Sequence, residues 1–419
     1  VKKVLFITHL HPDLIRGGAQ QSCYELFDQF REDTDYDPVL LACAPKWACG
    51  KLFVHRNAVI GYDRRDEYLY LTQKYDTFWH SSTEMNVLRD FARFLESFKP
   101  EIVHFQHYLF AGIEAVLLAR KTLPKAKIVM TMHEFTPICH SDGQMVKHET
   151  RDLCVQATPF ACHECFPAFS PSAFARRRQY IMEVFDHIDH FIVPSHFLGE
   201  RYRAWGLPAE KISFIDYGRT TANEAREKAP QQKRKSYNRF GFTGQLIINK
   251  GGTVVLDAVE ILRRRGIEDF HVYVYGANLA NSPEHFRKRF ENMEDELHLN
   301  VTMKGSYHSS QIAQVMQTLD WVIVPSIWWE NSPLVIQEAF MHGKPVICSN
   351  IGGMAEKVRD MVDGLHFAVR DPHSLADAMQ LAIEDSELHP RLVENIQPIL
   401  SAREGVAQHK KLYASLGVR

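Results

Sequence analysis

No apolar run in this chain of 419 residues approaches the ~20 residues that a membrane-spanning helix requires. An excess of one charge is lacking too: 49 Lys and Arg stand against 51 Asp and Glu, a formal net charge of -2 with His neutral. That balance supplies no general drive toward nucleic acid, so contact with a membrane or polyanion has to come from a local patch. Arg176-Arg177-Arg178 and Arg263-Arg264-Arg265 are the two candidates. Each is expected on a solvated helix face, and the first is also the candidate for peripheral membrane contact. Neither the Gly-x-Gly-x-x-Gly of dinucleotide folds nor a P-loop is present. The opening Lys2-Lys3 precedes only the short run Val4 to Ile7, which meets His9 and His11 instead of a small-residue cleavage site. It reads as a buried strand rather than a signal peptide, and the expected location is cytoplasmic or peripheral at the inner face of the cell membrane. Position 1 is not Met, which fits a trimmed chain or a segment of a larger polypeptide.

What the chain does have is 45% hydrophobic and 24% charged residues, enough for two domains with substantial cores. Short apolar runs (Val4 to Ile7, Val39 to Leu41, Ile102 to Phe105, Ile128 to Met132, Phe191 to Val193) alternate with helical patterns such as Gln20 to Phe30 and Asn86 to Phe98. The second half repeats the alternation, with strands at Phe240 to Phe242, His271 to Tyr275, Asn300 to Met303, Trp321 to Val324 and Pro345 to Cys348. Such alternation predicts an α/β chain of two doubly wound, Rossmann-like parallel-sheet domains, at residues 1–218 and 239–400. Residues 219–238 are polar without apolar periodicity and read as a linker, and 401–419 as a C-terminal helix from Ala402 to Leu416. Ligands of open α/β sheets bind beyond the carboxyl ends of the strands, so two such domains facing each other would enclose a cleft.

The densest information lies in Pro325 to Phe340. A strand end, a turn and a helix start follow one another, with Asn331 or Ser332 as cap and Pro333 suited to the first helical position. The amides of Asn331, Ser332, Leu334 and Val335 and the positive helix end favour an anion such as a diphosphate. Glu330 precedes that spot and Glu338 lies within the helix, so a ligand with hydroxyls on both sides of a diphosphate could be held by both carboxylates. A nucleotide sugar is such a ligand. Lys250, just before a predicted helix, can reach a phosphate as a flexible point charge.

These residues resemble the retaining glycosyltransferases of family 4 (glycosyl transferases group 1), whose signature is two glutamates with seven residues between them. The continuation Gly343-Lys344-Pro345-Val346, Gly352-Gly353 and Asp363-Gly364 follows in the family's order. So do Gly17-Gly18, Thr131-Met132-His133-Glu134 and Val193-Pro194-Ser195 in the first half, and the Gly244 to Gly251 stretch opening the second. The resemblance implies a GT-B fold whose last helix crosses back to the first domain, and transfer of a hexosyl group from a nucleoside diphosphate sugar to a hydroxyl of a glycan or lipid-linked acceptor. It implies Glu330 on the sugar hydroxyls, Glu338 on the ribose, Lys250 on the diphosphate, His133 beside the transferred sugar, and no metal for catalysis. Gly17 and Gly18 would allow close backbone approach. The family usually has arginine where Gln245 stands, so one of two expected charges is missing. The form Ile327-Trp328-Trp329-Glu330 resembles members acting in surface polysaccharide synthesis. A related epimerase or phosphorylase, and a catalytically degenerate nucleotide-sugar binder, are the alternatives.

Cys139, Cys154, Cys162 and Cys165 fall in one loop-rich stretch with unequal spacing. A structural zinc, reduced thiols and disulfides all stay open there. Asp33-Thr34-Asp35 reads as a solvated loop, and His187-Ile188-Asp189-His190 as the cap of a strand.

Overall fold

The computed structural model describes residues 1–52, 57–220, 236–277 and 279–418. The chain divides into two compact units, Val1–Thr220 with Leu400–Arg419, and Thr221–Ile399.

In the first unit the strands are β1 (Lys2–Thr8), β2 (Tyr36–Pro45), β3 (Val59–Gly61), β4 (Glu67–Thr72), β5 (Ile102–Phe105), β6 (Lys127–Thr131), β7 (His190–Val193) and β8 (Ile212–Phe214). They form one sheet in the order β3-β4-β2-β1-β5-β6-β7-β8. All neighbours are parallel except β3 and β4, so the sheet carries one antiparallel edge where a wholly parallel sheet was expected. Ile7 stands opposite both Leu41 and Phe105, which places β1 at the centre. Val4, Leu5, Phe6 and Ile7 are fully buried, as a strand covered on both faces must be.

The helix Ala402–Ser415 belongs to this unit. A capping box of Ser401 and Glu404 starts it, and its Val406 and Tyr413 join Phe27 and Phe30 in the core. Lys410 Nζ lies 2.6 Å from Asp33 and 3.0 Å from Asp35. Thr34 and Asp35 are exposed in a turn, as a solvated loop should be, and the two carboxylates also clamp the helix through Lys410. Asp189 accepts from the Ile128 amide at 2.7 Å, at the start of β6.

The arginine run also needs correction. Arg177 is buried, with its guanidinium donating to the carbonyls of Phe78 (2.7 Å), Pro137 (2.7 Å) and Thr136 (2.9 Å). Arg178 donates to the Trp205 carbonyl. Arg176 and Arg178 keep exposed positions on the helix, as expected, and only Arg177 departs from that reading. Because Arg177 satisfies three buried acceptors, Arg177→Met is expected to destabilise the unit by about 3–5 kcal/mol, seen as a fall of several degrees in calorimetric Tm. An unchanged Tm would show that water replaces those bonds. Arg264 and Arg265 pair with Glu260 and Asp377 on an exposed helix end. Among the described residues no helix is long and apolar enough to cross a membrane.

The second unit has β9 (Arg239–Gln245), β10 (His271–Ala277), β11 (Val301–Met303), β12 (Trp321–Val324), β13 (Val346–Ser349) and β14 (Gly364–Phe367), all parallel, in the order β11-β10-β9-β12-β13-β14. The order reverses between β9 and β12, and a crevice opens at the carboxyl ends of such a pair. Most of the expected linker, residues 221–235, lies outside the described residues. Arg219 pairs with Ser401 in a parallel bridge and so belongs with the first unit.

Candidate functional site

Both sequence segments singled out in the second half emerge at the β9/β12 switch point. The first runs from Gly244 and Gln245, at the end of β9, through a 3-10 turn at Ile248–Lys250 into the helix Gly252–Arg264. Gly251 has φ +69°, and a Cβ there would stand 1.9 Å from the Pro325 carbonyl oxygen. Only glycine lets this loop lie against the second segment. The Ile327 amide then donates to the Asn249 carbonyl at 2.9 Å, tying the two loops together.

Glu330 is the centre of the arrangement, with 6% of its surface exposed. Its Oε1 accepts from Lys250 Nζ at 2.5 Å, Ser326 Oγ at 2.8 Å and Trp328 Nε1 at 2.9 Å. That oxygen is saturated. No protein donor among the described residues reaches Oε2. The backbone of Glu330 is held too: its carbonyl accepts from the Gly353 amide at 2.6 Å, and a Cβ on Gly353 would stand 1.7 Å from Asn331 O. The glycine pair of the signature therefore seats the Glu330 turn. Lys250, expected on a diphosphate, is instead paired with Glu330 in the described structure. An ammonium has three donors, so the pair leaves it capacity for a phosphate oxygen.

The helix Leu334–Met341 follows. Pro333 is its N-cap residue rather than its first helical residue, and no side chain caps the end. Asn331 and Ser332, expected as caps, are buried in the preceding turn. An uncapped N-terminus presents its first amides and its dipole to an anion. Glu338, one turn in, is buried, and burial together with its neighbouring carboxylate pushes the Tyr307 hydroxyl pKa up. Gln245 is partly exposed at the end of β9.

In the first unit the order reverses between β1 and β5. Gly17 is the N-cap of the helix Gly18–Arg31, in extended backbone and with no side-chain cap bond. His133 lies beyond β6, and both of its ring nitrogens are occupied: Nε2 by Gln106 Oε1 at 3.0 Å and Nδ1 by the Tyr217 hydroxyl at 2.6 Å. Since an amide oxygen only accepts, Nε2 carries the proton and Nδ1 accepts from Tyr217. Burial, then His107, drives its pKa down to about 3, so it stays neutral. Gln106 in turn donates to His104, whose Nδ1 meets Tyr413 at 2.7 Å. This buried chain was missed from sequence; its one signal is that His104, Gln106 and His107 sit at the end of a central strand. Ser195, part of the resemblance, is the N-cap of the helix His196–Trp205 and has a structural task.

The four cysteines of the loop-rich stretch are reduced. Burial raises the Cys162 pKa to about 12, with Cys139, Cys154 and Cys165 adding to the rise, so the thiols are neighbours. Among the described residues no group of three or more His, Cys, Asp or Glu side chains could hold a metal ion, and the zinc reading gains no geometric support.

Two doubly wound α/β units, one with an open helix end and a buried glutamate at its switch point, have the GT-B fold of nucleotide-sugar glycosyltransferases. Solved structures with this fold include Anabaena Alr3699/HepE in complex with UDP (TM-score 0.68, 16% identity, 99% of this chain and 100% of that one). Another is the sucrose-phosphate synthase of Thermosynechococcus elongatus (TM-score 0.67, 17% identity, 99% of each chain). Residues 17–218 match the family model of the glycosyl transferase 4-like domain and residues 223–398 that of glycosyl transferases group 1, and the chain belongs to this glycosyltransferase family. Among curated relatives, the lipopolysaccharide 1,2-N-acetylglucosaminetransferase of Salmonella typhimurium (strain LT2) is 27% identical over 239 residues, 54% of this chain and 62% of that protein. The alpha-D-kanosaminyltransferase of Streptomyces kanamyceticus is 23% identical over 233 residues, 52% of this chain and 58% of that protein. The chain thus spans about three fifths of the length of these relatives.

Proposed function

We propose that the protein transfers a hexosyl group from a nucleoside diphosphate sugar to a hydroxyl of a glycan or lipid-linked acceptor, with retention at the anomeric carbon, in surface polysaccharide synthesis. The observation that supports this best is Glu330, buried just before the uncapped helix Leu334–Met341 with one oxygen saturated by Lys250, Ser326 and Trp328 and no protein donor to the other among the described residues. Hydroxyls of the donor sugar fit Oε2. The diphosphate fits the amides of Leu334 and Val335, with Lys250 beside it. As the bond from the anomeric carbon to the phosphate oxygen breaks, negative charge grows on the diphosphate, where preorganised dipoles and a cation lower the barrier. The acceptor oxygen bonds to the anomeric carbon on the face just vacated, and its proton passes to the released phosphate oxygen. None of these steps calls for a metal, and peripheral membrane contact would suit a lipid-linked acceptor.

Incubating the protein with UDP-, GDP- and ADP-hexoses, with and without glycan acceptors, tests the reading. Acceptor-dependent release of the nucleoside diphosphate and an α product from an α donor are expected. Donor binding without release of the nucleoside diphosphate under any condition would favour a degenerate binder. Glu338 is assigned to the ribose, a part that does not react. Glu338→Gln is therefore expected to weaken donor and bare nucleoside diphosphate alike by about 1.5–3 kcal/mol in calorimetry. Unchanged affinity for the bare nucleoside diphosphate would remove Glu338 from the ribose.

A further inference from the structure

The loop that leaves the carboxyl end of β4 and the outer face of the helix Pro171–Phe185 enclose a pocket of about 410 Å³. It is lined by Trp79 and Ser81 of the loop and by Arg176, Gln179, Tyr180 and Glu183 of the helix, all residues of the first unit. The helix positions recur at spacings of three and four, so they share one face. A pocket of this size suits a small-molecule ligand.

Buried groups fix Trp79 against that helix from both sides. Phe78 before it stacks on Phe169 with centroids 3.9 Å apart, and its carbonyl accepts from Arg177 Nε at 2.7 Å. His80 after it accepts at Nε2 from the same guanidinium at 3.0 Å and donates from Nδ1 to the Tyr108 hydroxyl at 2.8 Å. Asp76 Oδ1 takes the amides of Phe78 and Trp79 at 2.8 and 2.9 Å. His80 has φ +54°, a left-handed conformation that a residue other than glycine keeps only where its surroundings impose it, and such strain gathers at functional sites. Arg177, neighbour of Arg176 in the chain, thus locks the two walls of the pocket together. Trp79 is half-buried between its anchors, its ring at 77° to that of Tyr180 with centroids 6.2 Å apart.

The lining selects the ligand. A sugar ring has an apolar C–H face and a rim of hydroxyls that donate and accept. The negative face of an indole attracts the slightly positive C–H groups. For the hydroxyls, Arg176 offers donors, Glu183 acceptors and Gln179 both. Gln179 Nε2 already bonds Glu183 Oε1 at 2.9 Å, which sets the amide and carboxylate side by side. One guanidinium stands against the Glu183 carboxylate, with Glu114 bonded to the Tyr180 hydroxyl at 3.1 Å behind them, so a phosphate would meet as much repulsion as attraction. A neutral ligand meets neither.

We infer that this pocket binds a neutral oligosaccharide, with a sugar ring packed on Trp79 and hydroxyls bonded to Arg176, Gln179 and Glu183. Such a site keeps a growing glycan on the enzyme between transfers, a use that rests on the transferase reading. Binding itself needs no donor and no turnover.

The test follows the indole 1H–15N resonances of the whole chain during titration with maltotetraose, cellotetraose, laminaritetraose and mannotetraose. The Trp79 signal is identified by its loss in Trp79→Phe. A saturable shift of that signal with at least one of the four sugars is expected. In calorimetry, Trp79→Ala is expected to weaken that sugar at least about tenfold, Trp79→Phe by less because a ring remains, and Arg176→Ala about threefold to tenfold. Affinity for bare nucleoside diphosphate and Tm should stay unchanged in all three. No shift with any of the sugars, or wild-type sugar affinity in either Trp79→Ala or Arg176→Ala, would overturn the inference and leave the transferase reading intact. Sedimentation with vesicles of phosphatidylcholine and phosphatidylglycerol that Trp79→Ala abolishes, in the absence of any sugar binding, would give the pocket to a membrane and overturn it as well.

Discussion

Lys250→Ala is expected to lower turnover at least 100-fold, about 2.7 kcal/mol of transition-state stabilisation. Two effects combine in that loss. The resemblance sets two cations on the diphosphate, and Gln245 leaves Lys250 as the one expected side-chain charge there. Lys250 is also the cation against Glu330, a carboxylate only 6% exposed, and its removal leaves that charge without compensation in a desolvated turn. Glu330→Gln alone takes a charge from beside the reacting sugar and should cut turnover while bare nucleoside diphosphate still binds. Because the partners are in direct contact, the double variant should fall short of the summed losses by about 1–3 kcal/mol. Strict additivity in the four-enzyme cycle would mean that the pair does not persist in the working enzyme. A fall below tenfold for Lys250→Ala would hand the diphosphate to another group.

Acidification should unfold the first unit well before the carboxylates titrate. His133 is held at about 3 and His409 at about 4, burial being the leading cause for both, and His9, His80 and His104 also lie well below the usual value. In the unfolded chain each returns to ~6.5. Between the folded and unfolded values the unfolded chain binds more protons, so stability is fully present above ~6.5 and is lost as pH falls. His133 and His409 alone give a slope of roughly 3 kcal/mol per pH unit, or roughly 5 kcal/mol from pH 6 to pH 4. That approaches the whole stability of an ordinary domain. Urea melts at pH 7.5 and pH 5 should show the first transition moving to lower denaturant; coincident midpoints would mean that these rings are protonated inside the fold.

The sheets were legible because central strands are short apolar runs: Ile102 to Phe105 and Trp321 to Val324 are strands with those very limits. The β3–β4 edge was overlooked although Glu67 to Thr72 alternates polar and apolar residues, since its Glu67 and two tyrosines dilute the apolar signal. The glutamate pair, Lys250 and the glycines could be placed near a helix start from local pattern alone. What pattern could not give is pairing across distance. Nothing in the run Arg176 to Arg178 tells that the middle residue satisfies carbonyls from residues 78, 136 and 137. Likewise the separation of 80 positions between Lys250 and Glu330 hides their contact. His133 stood out by resemblance, whereas the Gln106, His104 and Tyr413 chain behind it has no motif.

The helix Ala402–Ser415 fixes an order of events during synthesis. Its Tyr413 bonds His104 and fills the core around Phe27 and Phe30, yet Thr221–Ile399, which form the second unit, must be translated first. At about 5–20 residues per second the ribosome needs on the order of ten to forty seconds to make that stretch. Through that interval the nascent first unit exposes the apolar groove that the helix will fill, with the Asp33–Asp35 clamp still without its lysine. The second unit can close on its own residues at once, so the half of the chain made first is the half completed last.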